Sequence, residues 1–209
     1  ISKESLRDPG LLASLRNVDA LLHVLRTFED DSIPHEFGDI EPARDADHVE
    51  TELILSDLVV AEKRLERVDR DRKKMKSPDL DHEFEVLMRC KEALENTIPL
   101  RELALTDEDE KRIRGFQFLS LKPVLYVLNV GEGEVSRLEE LEKQFAETVL
   151  KDRRKVGVIA VCGTVEAELA QLAPDEMADF LESYGLKESA LVRLIQATYS
   201  LLGLMSFLS

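Results

Sequence analysis

The chain has 209 residues, 44% of them hydrophobic, enough to bury one substantial core with an appendage. Its 43 acidic against 28 basic residues give a formal net charge of −15, which excludes a surface that is basic overall and leaves any nucleic-acid contact to a local patch. Cys90 and Cys162 match no metal spacing and are expected to be reduced, in a cytoplasmic setting. No run approaches the roughly 18 apolar residues of a membrane span, so no membrane contact is expected, and the opening ISKESLRDPG has no secretory apolar region.

In chain order, the first expected element is a strand at Ala20–Leu25, leaving into a loop at Glu29-Asp30-Asp31. Ser32 to Asp47, with Pro34, Gly38 and Pro42, reads as irregular. From Thr51 to Met75 an apolar recurrence of seven places Ile54, Ala61, Val68 and Met75 on one row, with Leu58 and Leu65 beside it, as in a coiled-coil seam. Ser77-Pro78 breaks that helix, and Leu80, Phe84, Leu87, Leu94 and Ile98 seam a second one. So short a break makes the pair an antiparallel hairpin. The basic run Arg70, Arg72, Lys73, Lys74 and Lys76 near its tip reads as a solvated end.

Further along, Thr106 with Asp109 three residues on can cap a helix reaching towards Leu119. A buried strand over Val124–Leu128, a helix from Val135 to Leu150, a strand at Val156–Val161 and a helix beginning at Glu166 follow. Pro174 is expected to open another helix at a first-turn position, and a last one spans Ser189 to Leu202. Strand and helix alternating in this way argue for an α/β fold, a parallel sheet with a helical insertion between two of its strands. The boundaries so drawn are 1–48 and 106–209 for the two parts of the α/β domain and 49–105 for the insertion.

The segment LKPVLYVLNVGE, Leu121 to Glu132, delivers Asn129 and Glu132 beyond the carboxyl end of a strand, where open α/β sheets bind ligands. An amide three residues before a carboxylate resembles the base-recognition signature of P-loop GTPases, with Glu132 where those proteins carry Asp. Together with LASLRNVDALLHVLRTFEDD (12–31), TELILSDLVVAEKRLER (51–67) and EAELAQL (166–172), in the same order, it makes the chain similar to the Obg-like ATPases of the YchF type. That resemblance implies a Ras-like P-loop NTPase domain interrupted by a coiled-coil hairpin, a small C-terminal domain beyond, slow hydrolysis of ATP or GTP with Mg2+, and association with the ribosome. It also implies that Asn129, Val130 and Glu132 meet the base, Val130 on one face, and that the loop Val161-Cys162-Gly163 meets it from the next strand.

The extra methylene of Glu132 displaces the fork an Asp presents to guanine, which makes adenine an acceptable base. Asp8-Pro9-Gly10-Leu11 resembles the magnesium-sensing switch loop, one residue short, so Asp8, Gly10 and Leu11 are switch-loop candidates. Leu11 cannot orient a water by hydrogen bonding, and no catalytic residue is expected in the chain. No G-x-x-x-x-G-K-[ST] loop occurs, so these residues alone are expected to be inactive, as pieces of a longer protein from which mobile nucleotide loops are missing. The four histidines, His23, His35, His48 and His82, lack zinc spacing, and His23 reads as a core residue. A guanine-specific GTPase and a non-enzymatic interaction module are the competing readings.

Overall fold

A computed structural model describes residues 8–204. The chain forms two compact units: one holds Asp47–Lys122 together with the chain up to Asp19, the other holds Ala20–Ala46 and the chain from Pro123 onward. The short helix α1 (Pro9–Arg16) and the segment 106–122 group with the hairpin.

The α/β unit is built on three parallel strands in the order β1 (Leu21–Arg26), β2 (Val124–Asn129), β3 (Val156–Val161). Residues Val124 to Leu128 are all buried, as a central strand covered on both faces requires. Its register sets Arg26 beside Asn129 and Asn129 beside Val161, so all three strands end at one level. Leu125, Val127 and Ile159 form a core closed on one side by Leu194, Ala197 and Leu201 of the last helix. The outer edge of β3 is closed by side chains: Glu142 accepts the Ala160 N–H at 2.7 Å, and Arg193, paired with Glu142, donates to the Ala160 carbonyl at 2.9 Å. The ion pair stands in for a further strand.

In the other unit, α2 (Pro42–Lys74) and α3 (Pro78–Glu95) form the hairpin. Ile54, Ala61, Leu65 and Val68 bury against Val86, Leu87, Cys90 and Leu94, so the seams meet as their spacing dictates. Arg64 clamps Glu83 across the pair with two bonds of 2.6 and 2.9 Å. Three details depart from expectation. Helix α2 starts at Pro42, whose fixed φ suits a first turn, so 42–47 is helical and not irregular. Met75 stands 62% exposed, because the seam has no partner left at the tip. Ile98 lies outside α3: Thr97 turns left-handed (φ 57°), and the Thr97 and Ile98 amides return to the carbonyls of Leu94 and Ala93, ending the helix.

Helix α4 (Asp107–Ile113) carries the capping box of Thr106 and Asp109 and stops well before Leu119, in a single 3-10 turn at Arg114–Phe116. Helix α5 (Leu138–Thr148) follows a 3-10 turn over Glu132–Arg137, so it begins three residues later than Val135. Helix α6 (Gly163–Leu169) starts immediately after β3, three residues before Glu166. Pro174 sits in a turn, and α7 (Met177–Ser183) begins only at Met177, after Glu176 has accepted the Ala173 N–H. Helix α8 (Ala190–Leu202) is capped by the Ser189 hydroxyl and ends at Gly203 with φ 65°.

Candidate functional site

The carboxyl edge of the sheet gathers most of the expected site residues. Parallel pairing puts the end of β2 next to the end of β3, and the Val130 N–H donates to the Val161 carbonyl at 2.8 Å, extending the ladder into the loop. One residue on, the Gly163 N–H donates to Asn129 Oδ1 at 3.0 Å. A Cβ on Gly163 would stand 3.2 Å from that oxygen, so glycine lets the amide come close. From the other side, the Thr27 N–H and hydroxyl both donate to the Asn129 carbonyl at 3.0 Å. Asn129 is thus held by three bonds to its neighbours, while its Nδ2 makes no hydrogen bond among the described residues.

The remaining residues divide into accessible and covered. Glu132 is exposed, at the start of the 3-10 turn that lifts the loop off the strand. Val130 is only 2% exposed and Cys162 is also buried, so both present backbone rather than side chain. The loop from 161 to 163 therefore offers main-chain groups and little else.

Sequence reasoning passed over Thr27 and Phe28, which follow β1 as Val130 follows β2. Gly131 sits against Phe28, whose Cβ is 3.4 Å from where a Gly131 side chain would begin. The Arg26 guanidinium lies 4.9 Å from the centre of the Phe28 ring and donates to the carbonyls of Phe28, Asp30 and Ile33, shaping the loop after β1. The available signal was position: both residues leave a parallel strand at the ligand-binding edge.

Asp8, Gly10 and Leu11 form a helix start, not a loop. The Asp8 carboxylate caps α1 by accepting the amides of Gly10 (2.6 Å) and Leu11 (3.4 Å), which satisfies donors the first turn leaves free. Asp8 followed by Pro9-Gly10 is good helix-starting chemistry. Burial lowers His23 to about 4, so it stays neutral beside Tyr126, 5.7 Å between ring centres. Among the described residues no three His, Cys, Asp or Glu side chains are placed to hold a metal ion, and no helix is long and apolar enough to cross a membrane.

No family model matches the chain. Individual relatives do: the ribosome-binding ATPase YchF of Bacillus subtilis is 41% identical over 94% of this chain, and that of Escherichia coli O157:H7 is 39% identical over the same share. In each case the match covers 53% of the relative, so the chain spans about half the length of the curated relatives it matches. Among solved structures, the Schizosaccharomyces pombe YchF GTPase superposes with a TM-score of 0.78 at 24% identity, over 93% of this chain and 53% of that one, and shares the fold. Over nearly all of its length the chain is thus similar to about half of the YchF ribosome-binding ATPases, and its fold is a parallel sheet with an inserted helical hairpin.

Proposed function

We propose that this chain supplies the base-binding part of a cytoplasmic, ribosome-associated ATPase, in which ATP or GTP with Mg2+ is bound and slowly hydrolysed as a regulatory switch. The observation that carries this reading is the juxtaposition of Asn129 and Gly163 across neighbouring strand ends, with the exposed Glu132 carboxylate three residues beyond the amide. Two walls and a carboxylate at the carboxyl edge of a parallel sheet suit a flat heterocycle with hydrogen-bonding edges. The relatives' name, ribosome-binding ATPase, supports the partner and the nucleotide.

In this reading Asn129 Nδ2 and the backbone of Val161-Cys162-Gly163 hold the base, Glu132 accepts from its exocyclic amine, and Val130 acts through its main chain. Residues 1–48 and 106–209 form the nucleotide-binding domain and 49–105 the inserted hairpin. The described residues do not themselves fit a magnesium site, so the metal is assigned to the phosphates and no step of hydrolysis is routed through this chain. Without the phosphate-binding sequence the 209 residues alone release no phosphate from ATP.

A second reading, guanine specificity, is favoured by the GTPase description of the fission-yeast structure. Calorimetric titration of the full-length protein with ATP and GTP at constant Mg2+ separates the two. ATP is expected to bind at least as tightly as GTP, and Glu132→Asp to shift the preference towards GTP by about 1–3 kcal/mol at most. Strong GTP preference in the unaltered protein, or an unchanged ratio in the variant, removes Glu132 from the site.

A further inference from the structure

The hairpin tip carries the dense cationic run Arg70, Arg72, Lys73, Lys74 and Lys76, interrupted among the charged residues only by Asp71, and the nucleotide site makes no use of it. Cations in the last turn of α2 offset the negative end of the helix dipole, which accounts for Arg72, Lys73 and Lys74 as a group. It does not account for Lys76, which lies past the helix end, or for the way Arg72 is held. The Arg72 Nε donates to Asp81 Oδ1 at 2.6 Å, and the guanidinium lies 4.2 Å from the centre of the Phe84 ring. Both partners belong to α3, so the guanidinium is oriented across the hairpin. Its Nη1 and Nη2 make no hydrogen bond among the described residues, which leaves an oriented fork of donors open.

Arg72 lines a groove of about 540 Å³ together with Lys73, Lys76, Ser77, Asp69 and Asp81. Both lining carboxylates are engaged, Asp81 by Arg72 and Asp69 by Lys73, each at 2.6 Å, and Asp79 in the first turn of α3 is taken by Arg112 at 2.9 Å. Lys74 and Lys76 make no side-chain bond among the described residues, so the tip keeps a positive excess in a chain whose net charge is −15. Helix α2 has 33 residues and is roughly 50 Å long. Screening acts over about 8 Å at physiological salt, so a partner at the tip meets the local cations and not the acidic remainder of the chain.

We propose that the hairpin tip is a contact surface for the sugar–phosphate backbone of RNA, with the Arg72 fork donating to phosphate oxygens and Lys74 and Lys76 adding charge beside it. A planar fork matches two oxygens of one phosphate, and a polyanion engages several cations at once. Cations on phosphates carry no sequence information, so binding depends on salt and not on base order. The choice of RNA as the partner rests on the ribosome association proposed above.

The test measures two bindings of the full-length protein: cosedimentation with purified ribosomes, and fluorescence anisotropy of a labelled RNA hairpin across a salt series. Lys74→Gln with Lys76→Gln removes two charges that hold nothing in the fold, and Lys143→Gln with Lys151→Gln removes two exposed charges from the α/β unit as the control. The tip variant is expected to weaken RNA about tenfold near physiological salt and to flatten the slope of log K against log salt by roughly 1.4–1.8, as two lost phosphate contacts require. Ribosome binding falls with it, and the control changes neither. Arg72→Lys keeps the charge and loses the fork, so RNA weakens about threefold at an unaltered slope. RNA binding that the tip variant leaves intact, or that the control weakens as much, overturns the proposal. Ribosome binding lost while RNA binding stays intact also overturns it, in favour of an acidic protein surface. If the RNA hairpin is bound through the tip and ribosomes are not bound at all, the ribosome association fails and the tip contact stands.

Discussion

The two compact units use polar groups differently: among the described residues the buried polar side chains Glu50, Asp57, Arg101, Asp109 and Ser120 lie in the helical unit. There they tie distant segments of the fold together. Asp57 accepts the amides of Leu119 (2.9 Å) and Ser120 (2.7 Å), the Ser120 hydroxyl and Arg16, which pins the segment after α4 to the middle of α2. Burial still pushes its carboxyl up, against those bonds. Arg101 is fully enclosed, with Glu50 at 2.7 Å and the Lys122 carbonyl at 2.9 Å. In the α/β unit the core is apolar and the polar groups stand at the strand ends, where Asn129 commits its oxygen and its carbonyl and keeps its NH2. Buried groups that tie segments together make a scaffold; a braced group with a spare donor at a strand end makes a site.

The comparison can be broken at the hairpin first. Leu65→Asp puts a carboxylate into the seam and should cost at least about 5 kcal/mol, combining a lost core side chain with an unpaired buried charge. Hydrogen exchange over 58–94 reads the loss, and native-like protection there would refute the pairing of the seams. Arg101→Ala comes next, at about 3–5 kcal/mol, because Glu50 is left buried without its partner. The double variant Glu50→Met with Arg101→Met should recover most of that in denaturant titration. No recovery would mean the pair does more than satisfy itself.

The acid limb of stability sharpens the contrast further. Burial would raise the Asp109 carboxyl, but hydrogen bonds from His82, the Thr106 backbone and Arg89 outweigh it and hold the group at about 2, below its ordinary 3.8. A depressed carboxylate stabilises above its unfolded value, so this contribution is complete above about pH 4 and disappears as pH falls to about 2. Asp109→Asn should flatten the stability profile across that window, and an identical acid limb would show that the capping box carries no such coupling. The smallest effect lies at Thr97, exposed and left-handed at the end of α3. Thr97→Gly relieves that conformation and should raise stability by about 1 kcal/mol in thermal unfolding. A lower midpoint would contradict it.

These effects mark where the sequence was legible. The heptad row of Ile54, Ala61 and Val68 and the unbroken run Val124–Leu128 announced their elements because burial alone dictates such patterns. The burial of Glu50 and Asp57 has no signal in the helix pattern: it follows from distant partners at 101, 16, 119 and 120. Ile98 kept the seam's spacing, yet a backbone reversal at Thr97 ended the helix, an event that the apolar pattern does not encode. At the site, Asn129 and Glu132 were visible as a motif, whereas Thr27 and Phe28 became relevant only once parallel pairing brought them near.

The central claim is that the base sits against the edge that Asn129 and Gly163 form together. Amide NMR of the full-length protein during titration with ATP and Mg2+ tests it directly, by following the Asn129 side-chain NH2 and the Gly163 backbone N–H. The account predicts that these two signals shift most strongly among the strand-end residues and saturate together at the calorimetric affinity. Saturation by ATP with both signals unmoved, and the shifts gathered elsewhere, would contradict it.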